Sequence, residues 1–498
     1  MLSKSKPDEM QSYLADASNL AGGHAARVVF PETAHEVAAV LADASREGVA
    51  VTVSGAGTGI VGGRVPFGGV VLATDRLNRI KEIAREESGG RATAEAGVVL
   101  AEFQRAVEAR GLLYPPDPTE RSCYLGATVA TNSSGARTFK YGATRRYIRR
   151  LTLALATGDV LTLARGEIFA DADGRLRIPL GGGRSIEAQL PSYRMPETRK
   201  HAAGYYVAPE MDAIDLFIGS EGTLGVVCEV EAALLEKPAG VLSGIVFFTD
   251  EAKLLAFVRD ARGASLETRA RNLQGELDAR ALEFFDAEAL SFLREKFPRI
   301  PADARGAIFF EQETTDETED RMFKAWLALL ERHDAALDAS WFATAERDQA
   351  NLREFRHALP VLVNEWLTRH DQRKVSTDMS VPDAAFPAML RFYQERLRAS
   401  RLQYVIFGHI GDNHVHVNIL PRDDSEATTA REIYAQFISR AVSLGGTISA
   451  EHGVGKIKRD YLRTLYGDEH LRQMAALKRA FDPACILGRG NIFGEELL

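Results

Sequence analysis

Three histidines stand close together in "FGHIGDNHVHVNIL", residues 407–420: His409, His414 and His416. Imidazole nitrogens bind divalent ions and exchange protons near neutral pH, so such a cluster raises metal or acid–base chemistry at once. Strand alternation across "VHVNIL" sends Val415, Val417 and Ile419 to one face and His414, His416 and Asn418 to the other. If residues 404–407 form the antiparallel partner, residues 408–414 make the turn and His409 comes beside His416 across the hairpin. Two imidazoles under-ligate a divalent ion, and a third donor is required. "SAEHGVGKIKRDYL" offers Glu451, followed at once by His452 and by glycines that permit a tight approach. The residues alone leave a second reading open, in which these are ordinary polar side chains on a half-buried sheet.

A second chemistry is suggested by "VTVSGAGTGIVGGRVPFGG", where Gly55, Gly57, Gly59, Gly62 and Gly63 follow a strand. Glycines let backbone N–H groups turn inward and approach a phosphate closely. Asp75 falls about 20 residues after Gly55, as a Rossmann dinucleotide fingerprint asks, but that fingerprint must open a helix. Here Gly62, Gly63, Pro66, Gly68 and Gly69 forbid one, which leaves a phosphate nest. Two further loops have similar chemistry: "YPPDPTERSCYLGATVATNSSGARTFKYGATRRYI" and "DLFIGSEGTLGVV". Three loops of Gly, Ser, Thr and Asn tied to strands suit a long ligand with a pyrophosphate and two ring systems.

The elements that must position these groups follow from periodicity. "VVFPETAHEVAAVLADASREGVAVTVSG" reads as strand, helix with Val37, Val40, Leu41 and Ala44 on one face and Gly48 as its stop, then strand. The same grammar recurs in "RATAEAGVVLAEFQRAVEARGLLY", and "RRLTLALATGDVLTL" contains a hairpin turn at "TGD". A boundary is expected near Pro238. Beyond it, strands alternate with long charged helices, a pattern that predicts a sheet covered on one face. The last fifty residues read as helix and loop.

The chain has 498 residues, 45% of them hydrophobic, enough at roughly 150 residues per domain for about three packing units. With 61 Lys and Arg against 69 Asp and Glu, the net charge of −8 gives no reason to expect nucleic acid or an anionic membrane as partner. Cys123, Cys228 and Cys485 are widely separated and lack metal-ligand spacing, which predicts buried free thiols in a reducing compartment. "MLSKSKPDEM" lacks an apolar signal core, and no run reaches the ~18 apolar residues of a transmembrane helix. The expectation is a cytoplasmic protein.

Taken in order, the loops "GAGTG", "PDP", "GAT", "TNSSG" and "GSEGTLG" resemble the flavin-binding domain of the vanillyl-alcohol oxidase superfamily. The resemblance implies an α+β fold in three parts. Residues 1–237 would be an FAD-binding domain of two α+β subdomains, and residues 238–445 an α+β substrate (cap) domain with an antiparallel sheet. Residues 446–498 would be a helical segment returning to the FAD domain. It implies FAD bound by Ser54, Gly55, Ala56, Gly57, Thr58 and Gly59 at the pyrophosphate, with Pro116, Asp117, Gly126, Thr128, Asn132, Ser134, Gly135, Gly142, Glu221, Gly222 and Gly225 completing the site. No histidine stands in "SGAGTG" where some relatives attach flavin covalently, so the FAD is expected to be non-covalent. The chain departs from the pattern at Gly126-Ala127, where many relatives have two glycines, and at "ILGRGNIF", where they have Asn-Pro-Gly.

"GHIGDNHVHVN" and "EHGVGK" are similar to the paired motifs of the D-2-hydroxy-acid dehydrogenase branch, which includes D-lactate, glycolate and D-2-hydroxyglutarate dehydrogenases. That likeness implies a divalent ion, zinc or manganese, held by His409, His416 and Glu451. It makes His452 the general base, Asn418 a substrate or flavin contact, and Arg356 of "NLREFRHALP" the carboxylate clamp. His414 stands outside the pattern. Relatives that bind dicarboxylates tend to carry a lysine where this chain has Ser376, with Lys374 two residues earlier, so monocarboxylates of the D-lactate type are expected to be preferred. The implied reaction oxidises an (R)-2-hydroxy acid to the 2-oxo acid by hydride transfer to flavin N5. It needs an electron acceptor the sequence does not name: a quinone, a flavoprotein, a cytochrome or an iron–sulfur subunit on another chain. A homodimer is compatible with all of this. The rival readings are a same-fold flavoenzyme acting on another alcohol and a non-catalytic flavin-binding subunit of a multi-chain oxidoreductase.

Overall fold

The computed structural model describes residues 1–273 and 275–498. The chain first builds a four-stranded sheet in the order Leu2–Lys4, Arg27–Phe30, Val70–Ala73, Val51–Ser54, the last three strands parallel. Parallel neighbours need a crossover, and the helix Ala34–Glu47 supplies one. Thr33 accepts from the backbone N of Glu36 at its start, and Gly48 ends it at φ 65°. Its Val37, Val40, Leu41 and Ala44 are buried, as the spacing predicts, in one cluster with Val51, Val70 and Leu72. Residues 55–69 form no helix, as their glycine and proline content requires.

The second sheet runs Ile80–Arg85, Gly90–Glu95, Val226–Glu236, Ile148–Ala154, Val160–Ala164, with Leu112–Leu113 paired to the far end of Val226–Glu236. The "TGD" hairpin is present between Ile148–Ala154 and Val160–Ala164. Three residues after Glu236 the chain enters a third sheet. This one is seven-stranded and antiparallel throughout: Trp341–Ala343, Gly240–Phe248, Gly306–Thr314, Ala279–Asp286, Gln403–Gly408, His416–Leu420, Val375–Ser376.

The expectation that this sheet is covered on one face is corrected by the packing. Leu242, Val246, Phe284, Ile308 and Phe310 pack on one side with Phe257 and Trp326, while Ile245, Phe247, Phe285 and Phe309 pack on the other with Leu290, Phe355 and Leu359. The reason was visible in the strands themselves, whose runs "GIVFF", "LEFF" and "AIFF" are apolar on both faces rather than alternating. The C-terminal helix Arg459–Phe481 then leads back to the first sheet, where Leu487 bridges Val51 and the buried ammonium of Lys478 donates to Asp482 (2.7 Å), Thr223 (2.9 Å) and Leu487 (2.8 Å). Cys123 and Cys228 are buried free thiols, pushed up to about 12 by burial. Among the described residues, no helix is long and apolar enough to cross a membrane.

Candidate active site

The histidine hairpin forms with Phe407 opposite His416 and Val405 opposite Asn418. Val415, Val417 and Ile419 face the core, so His416 and Asn418 face the other way. The turn closes through Asn413 in the left-handed conformation (φ 54°). The Nε2 atoms of His409 and His416 each lie 3.2 Å from Oε1 of Glu451. Donor atoms about 2.0–2.2 Å from a tetrahedral ion are about 3.3–3.6 Å from one another, so this spacing suits a divalent ion with little adjustment.

Each member is held from behind. Glu283, on the central strand Ala279–Asp286, accepts from Nδ1 of His409 at 2.7 Å and from Nε of Arg356 at 3.1 Å. Burial pushes the Glu283 carboxyl up, but His409 and Arg356 prevail and hold it at about 2. For His409 burial pushes down, and Glu283 outweighs it to give about 9. A ligated His409 would keep its proton on Nδ1, where Glu283 accepts it, which is the usual arrangement behind a metal-bound imidazole. Nδ1 of His416 lies 3.1 Å from the carbonyl of Thr377. Oε2 of Glu451 accepts from Ser134 (3.1 Å) and from the buried Lys200 (3.2 Å), which leaves Oε1 for the imidazoles.

Asp378 organises the neighbouring loop. Its carboxylate accepts from the backbone N of Glu451 (3.2 Å) and His452 (3.0 Å), from Ser449 Oγ (2.6 Å) and from Lys458 Nζ (2.6 Å). Nδ1 of His452 lies 3.4 Å from the same carboxylate, and its ring stacks on that of His416 at 5.4 Å. Burial pushes the His452 imidazole down to about 4, so near neutral pH it is uncharged and keeps a free lone pair. His414 is fully buried beside His416, and burial pushes it down to about 3.

Two cavities meet at this loop. One, of 180 Å³, is walled by Arg356, His409, His416, Asn418, Glu451 and His452 and also reaches Lys374 and Ser376. The other, of 150 Å³, is walled by residues 55–59, Gly126, Glu221, Gly222 and Gly225, together with Asn491. His452 belongs to both walls. The second cavity fits a flavin nucleotide's phosphates: nothing lies within 4 Å of a Cβ built on Gly59, while a Cβ on Gly126 would meet that of Ala96 at 2.5 Å. Arg64 adds a cation at the glycine loop, where Nη1 donates to the carbonyl of Gly55 at 2.6 Å.

Nine of the expected cofactor residues thus share one cavity: Gly55, Ala56, Gly57, Thr58, Gly59, Gly126, Glu221, Gly222 and Gly225. Ser54 lies beneath it, its hydroxyl donating to Gly55 at 3.2 Å. Glu221 also spans to the loop that follows Glu451 and His452, accepting from the backbone N of Val454 and of Gly455 at 2.7 Å each. The others stand elsewhere. Ser134 donates directly to Glu451, and Gly135 is linked to the same carboxylate through Lys200, which donates to its carbonyl at 2.9 Å. Asn132 accepts from the backbone N of Arg145 at 2.9 Å and faces a separate cavity. Thr128 caps its own helical turn on Leu125, and Gly142 ends the helix Thr138–Tyr141 at φ 81°. The carbonyl of Pro116 accepts from Gln104 (2.9 Å), and Asp117 is ion-paired with Arg121 (2.6 Å) and Arg137 (3.3 Å).

Glu283, Asp378, Lys200 and Arg64 escaped the sequence reading. The first three act from distant segments and carry no local spacing signal, whereas Arg64 stood in plain view inside the glycine loop. Asn491, in the atypical tail, does reach the flavin-type cavity and donates to the carbonyl of Gly63 at 2.9 Å.

A flavin-type cavity joined to an antiparallel cap at a shared histidine defines an FAD-linked oxidoreductase. The chain belongs to the FAD-linked oxidases: it matches the family described as "FAD binding domain" over residues 25–164 and that described as "FAD linked oxidases, C-terminal domain" over residues 245–492. It is 30% identical to the glycolate oxidase subunit GlcD of Bacillus subtilis (strain 168), covering 94% of this chain and 89% of that one. It is 28% identical to a D-lactate dehydrogenase of Anaerostipes hadrus (92% and 87%) and 29% identical to a D-2-hydroxyglutarate dehydrogenase of Stutzerimonas stutzeri (strain A1501) (98% and 95%). A solved alkyldihydroxyacetonephosphate synthase shares the fold, with a TM-score of 0.66 at 16% identity over 98% of this chain and 81% of that one. The vanillyl-alcohol oxidase type of fold expected from the loops is thereby established.

Proposed function

We propose that the protein oxidises an (R)-2-hydroxy acid to the corresponding 2-oxo acid, with FAD and a divalent ion as cofactors. The observation that carries this reading is the position of His452 on the walls of both cavities, beside the His409, His416 and Glu451 donors. Held by residues 55–59 and Glu221, FAD would supply the hydride acceptor at N5, and a divalent ion held by His409, His416 and Glu451 would supply a Lewis acid for the substrate hydroxyl.

The chain's own groups do the rest. Arg356, fixed through Nε by Glu283, presents its remaining N–H donors to the substrate carboxylate. His452 is the base: Asp378 lies beside Nδ1, and Nε2 is left to receive the hydroxyl proton. Asn418, whose Oδ1 is buried without a partner, adds a polar contact in the same cavity. Holding carboxylate and hydroxyl at separate points leaves one orientation of the C2 hydrogen, which makes the site enantioselective.

The names of the relatives favour glycolate, D-lactate or D-2-hydroxyglutarate as the substrate type. Ser376 in place of a lysine argues for a monocarboxylate, yet Lys374 lines the same cavity as Ser376. A second carboxylate therefore has a cation within the site. Electrons leave to a separate acceptor, a quinone or a redox protein. The test is anaerobic bleaching of bound FAD with a panel of D- and L-2-hydroxy acids. Reduction by the D series is expected, and faster reduction by L-lactate than by D-lactate would overturn the proposal.

A further inference from the structure

We infer that His414 is a fourth protein ligand of the divalent ion, so that three imidazoles and one carboxylate hold it; the inference rests on the metal-dependent reading above. His414 is completely buried, yet neither ring nitrogen has a hydrogen-bond partner of acceptable geometry among the described residues. A polar ring buried in that state is unfavourable unless something else takes its lone pair. What lies nearest is the donor cluster. One ligand atom from each of His409, His414, His416 and Glu451 falls within 4.8 Å of all the others. The His414 ring centroid is 4.5 Å from that of His416 and 5.5 Å from that of His409.

The three imidazoles also share one arrangement. His409 has the Glu283 carboxylate at Nδ1 (2.7 Å), His416 has the Thr377 carbonyl at Nδ1 (3.1 Å), and His414 has the Asp378 carboxylate near Nε2 (3.2 Å). An acceptor beside one nitrogen fixes the tautomer and directs the lone pair of the other, as behind metal-bound histidines generally. For His409 and His416 that other nitrogen faces Glu451. For His414 it is Nδ1, which no group among the described residues claims. The backbone leaves the ring little choice of place, because His414 N donates to the His409 carbonyl at 3.1 Å and Ser380 bridges to His414 from the other side. Four protein donors already fill a tetrahedron, so an ion that also takes substrate must expand its coordination, which favours ions at ease with five or six ligands.

The test uses full-length FAD-loaded protein. Wild-type protein stripped with chelator and given one equivalent of Cu2+ should show nitrogen hyperfine coupling from three imidazoles by electron paramagnetic resonance, and coupling from only two would overturn the inference. In chelator competition with Zn2+, His414→Asn should bind more weakly by more than the about 10- to 100-fold that loss of an outer-sphere partner costs; unchanged affinity would overturn it. His416→Ala separates the two layers of argument. If His416→Ala loses Zn2+ and His414→Asn does not, only the role of His414 falls; if wild-type protein binds neither ion, the metal reading falls with it. The copper spectrum needs no variant, so a misfolded His414→Asn protein does not shield the inference.

Discussion

Replacing Glu311 with Gln should loosen the seam between the flavin-binding half and the cap. Oε2 of Glu311 accepts from Arg280 Nη2 at 2.8 Å and from Arg137 Nε at 3.4 Å, and Arg137 reaches on to Asp117 at 3.3 Å. Glu311 and Arg280 lie on the cap sheet, whereas Arg137 and Asp117 come from the first half. Burial pushes the Glu311 carboxyl up, but Arg280 and Arg137 overrule it and hold it at about 2, against an ordinary 4.5. That difference is worth roughly 3 kcal/mol, and removal of one partner from a buried pair costs about 3–5 kcal/mol by a separate route. Because the folded value is depressed, the stabilisation is complete above pH 4.5 and is lost as pH falls towards 2; about 1.4 kcal/mol is gone by pH 3.5. All three tryptophans, Trp326, Trp341 and Trp366, lie in the cap, so their fluorescence reports its unfolding in urea. Glu311→Gln should be less stable by about 3 kcal/mol at pH 7, with the gap narrowing below pH 4.5. A gap under about 1 kcal/mol at pH 7, or one that stays constant to pH 3.5, would refute the reasoning.

Other outcomes can be checked on the same protein. The purified chain should be yellow, and acid or heat should release its FAD; flavin still attached after denaturation would contradict the non-covalent assignment. Chelation, or His416→Ala, should abolish substrate-driven flavin bleaching while the visible spectrum shows FAD retained; full activity of metal-free protein would end the metal assignment. Lys374→Met should raise KM for D-2-hydroxyglutarate by about 10- to 150-fold, the worth of one charge-assisted hydrogen bond, while that for D-lactate stays nearly constant. Equal effects on both substrates would remove Lys374 from tail recognition.

What could be read in advance depended on how local the signal was. The His409–His416 hairpin and the helix that Gly48 terminates were legible because alternation and capping are properties of adjacent residues. The glycine loop was likewise recognisable as a non-helical nest. Glu283 and Asp378 were not, since each is one carboxylate in an unremarkable stretch and acquires its role only when strands from distant parts of the chain pack together. The covering of both sheet faces was missed although "GIVFF" and "AIFF" lack alternation, because the charged helices nearby drew attention to solvent. For Asn132 and Asp117, motif order points to the flavin site, while the contacts within the chain set one beside Arg145 and the other in an ion-pair network.

The bonds from Glu221 to the backbone of Val454 and Gly455 tie the loop bearing Glu451 and His452 to the flavin-binding half. The segment bearing Glu451 and His452 is docked on the flavin-binding half, while His409 and His416 arrive on the cap sheet, so neither half owns a complete set of donors. On the proposed metal assignment, the donor set is therefore complete only once the loop bearing Glu451 has docked, and the site would report correct assembly of both halves.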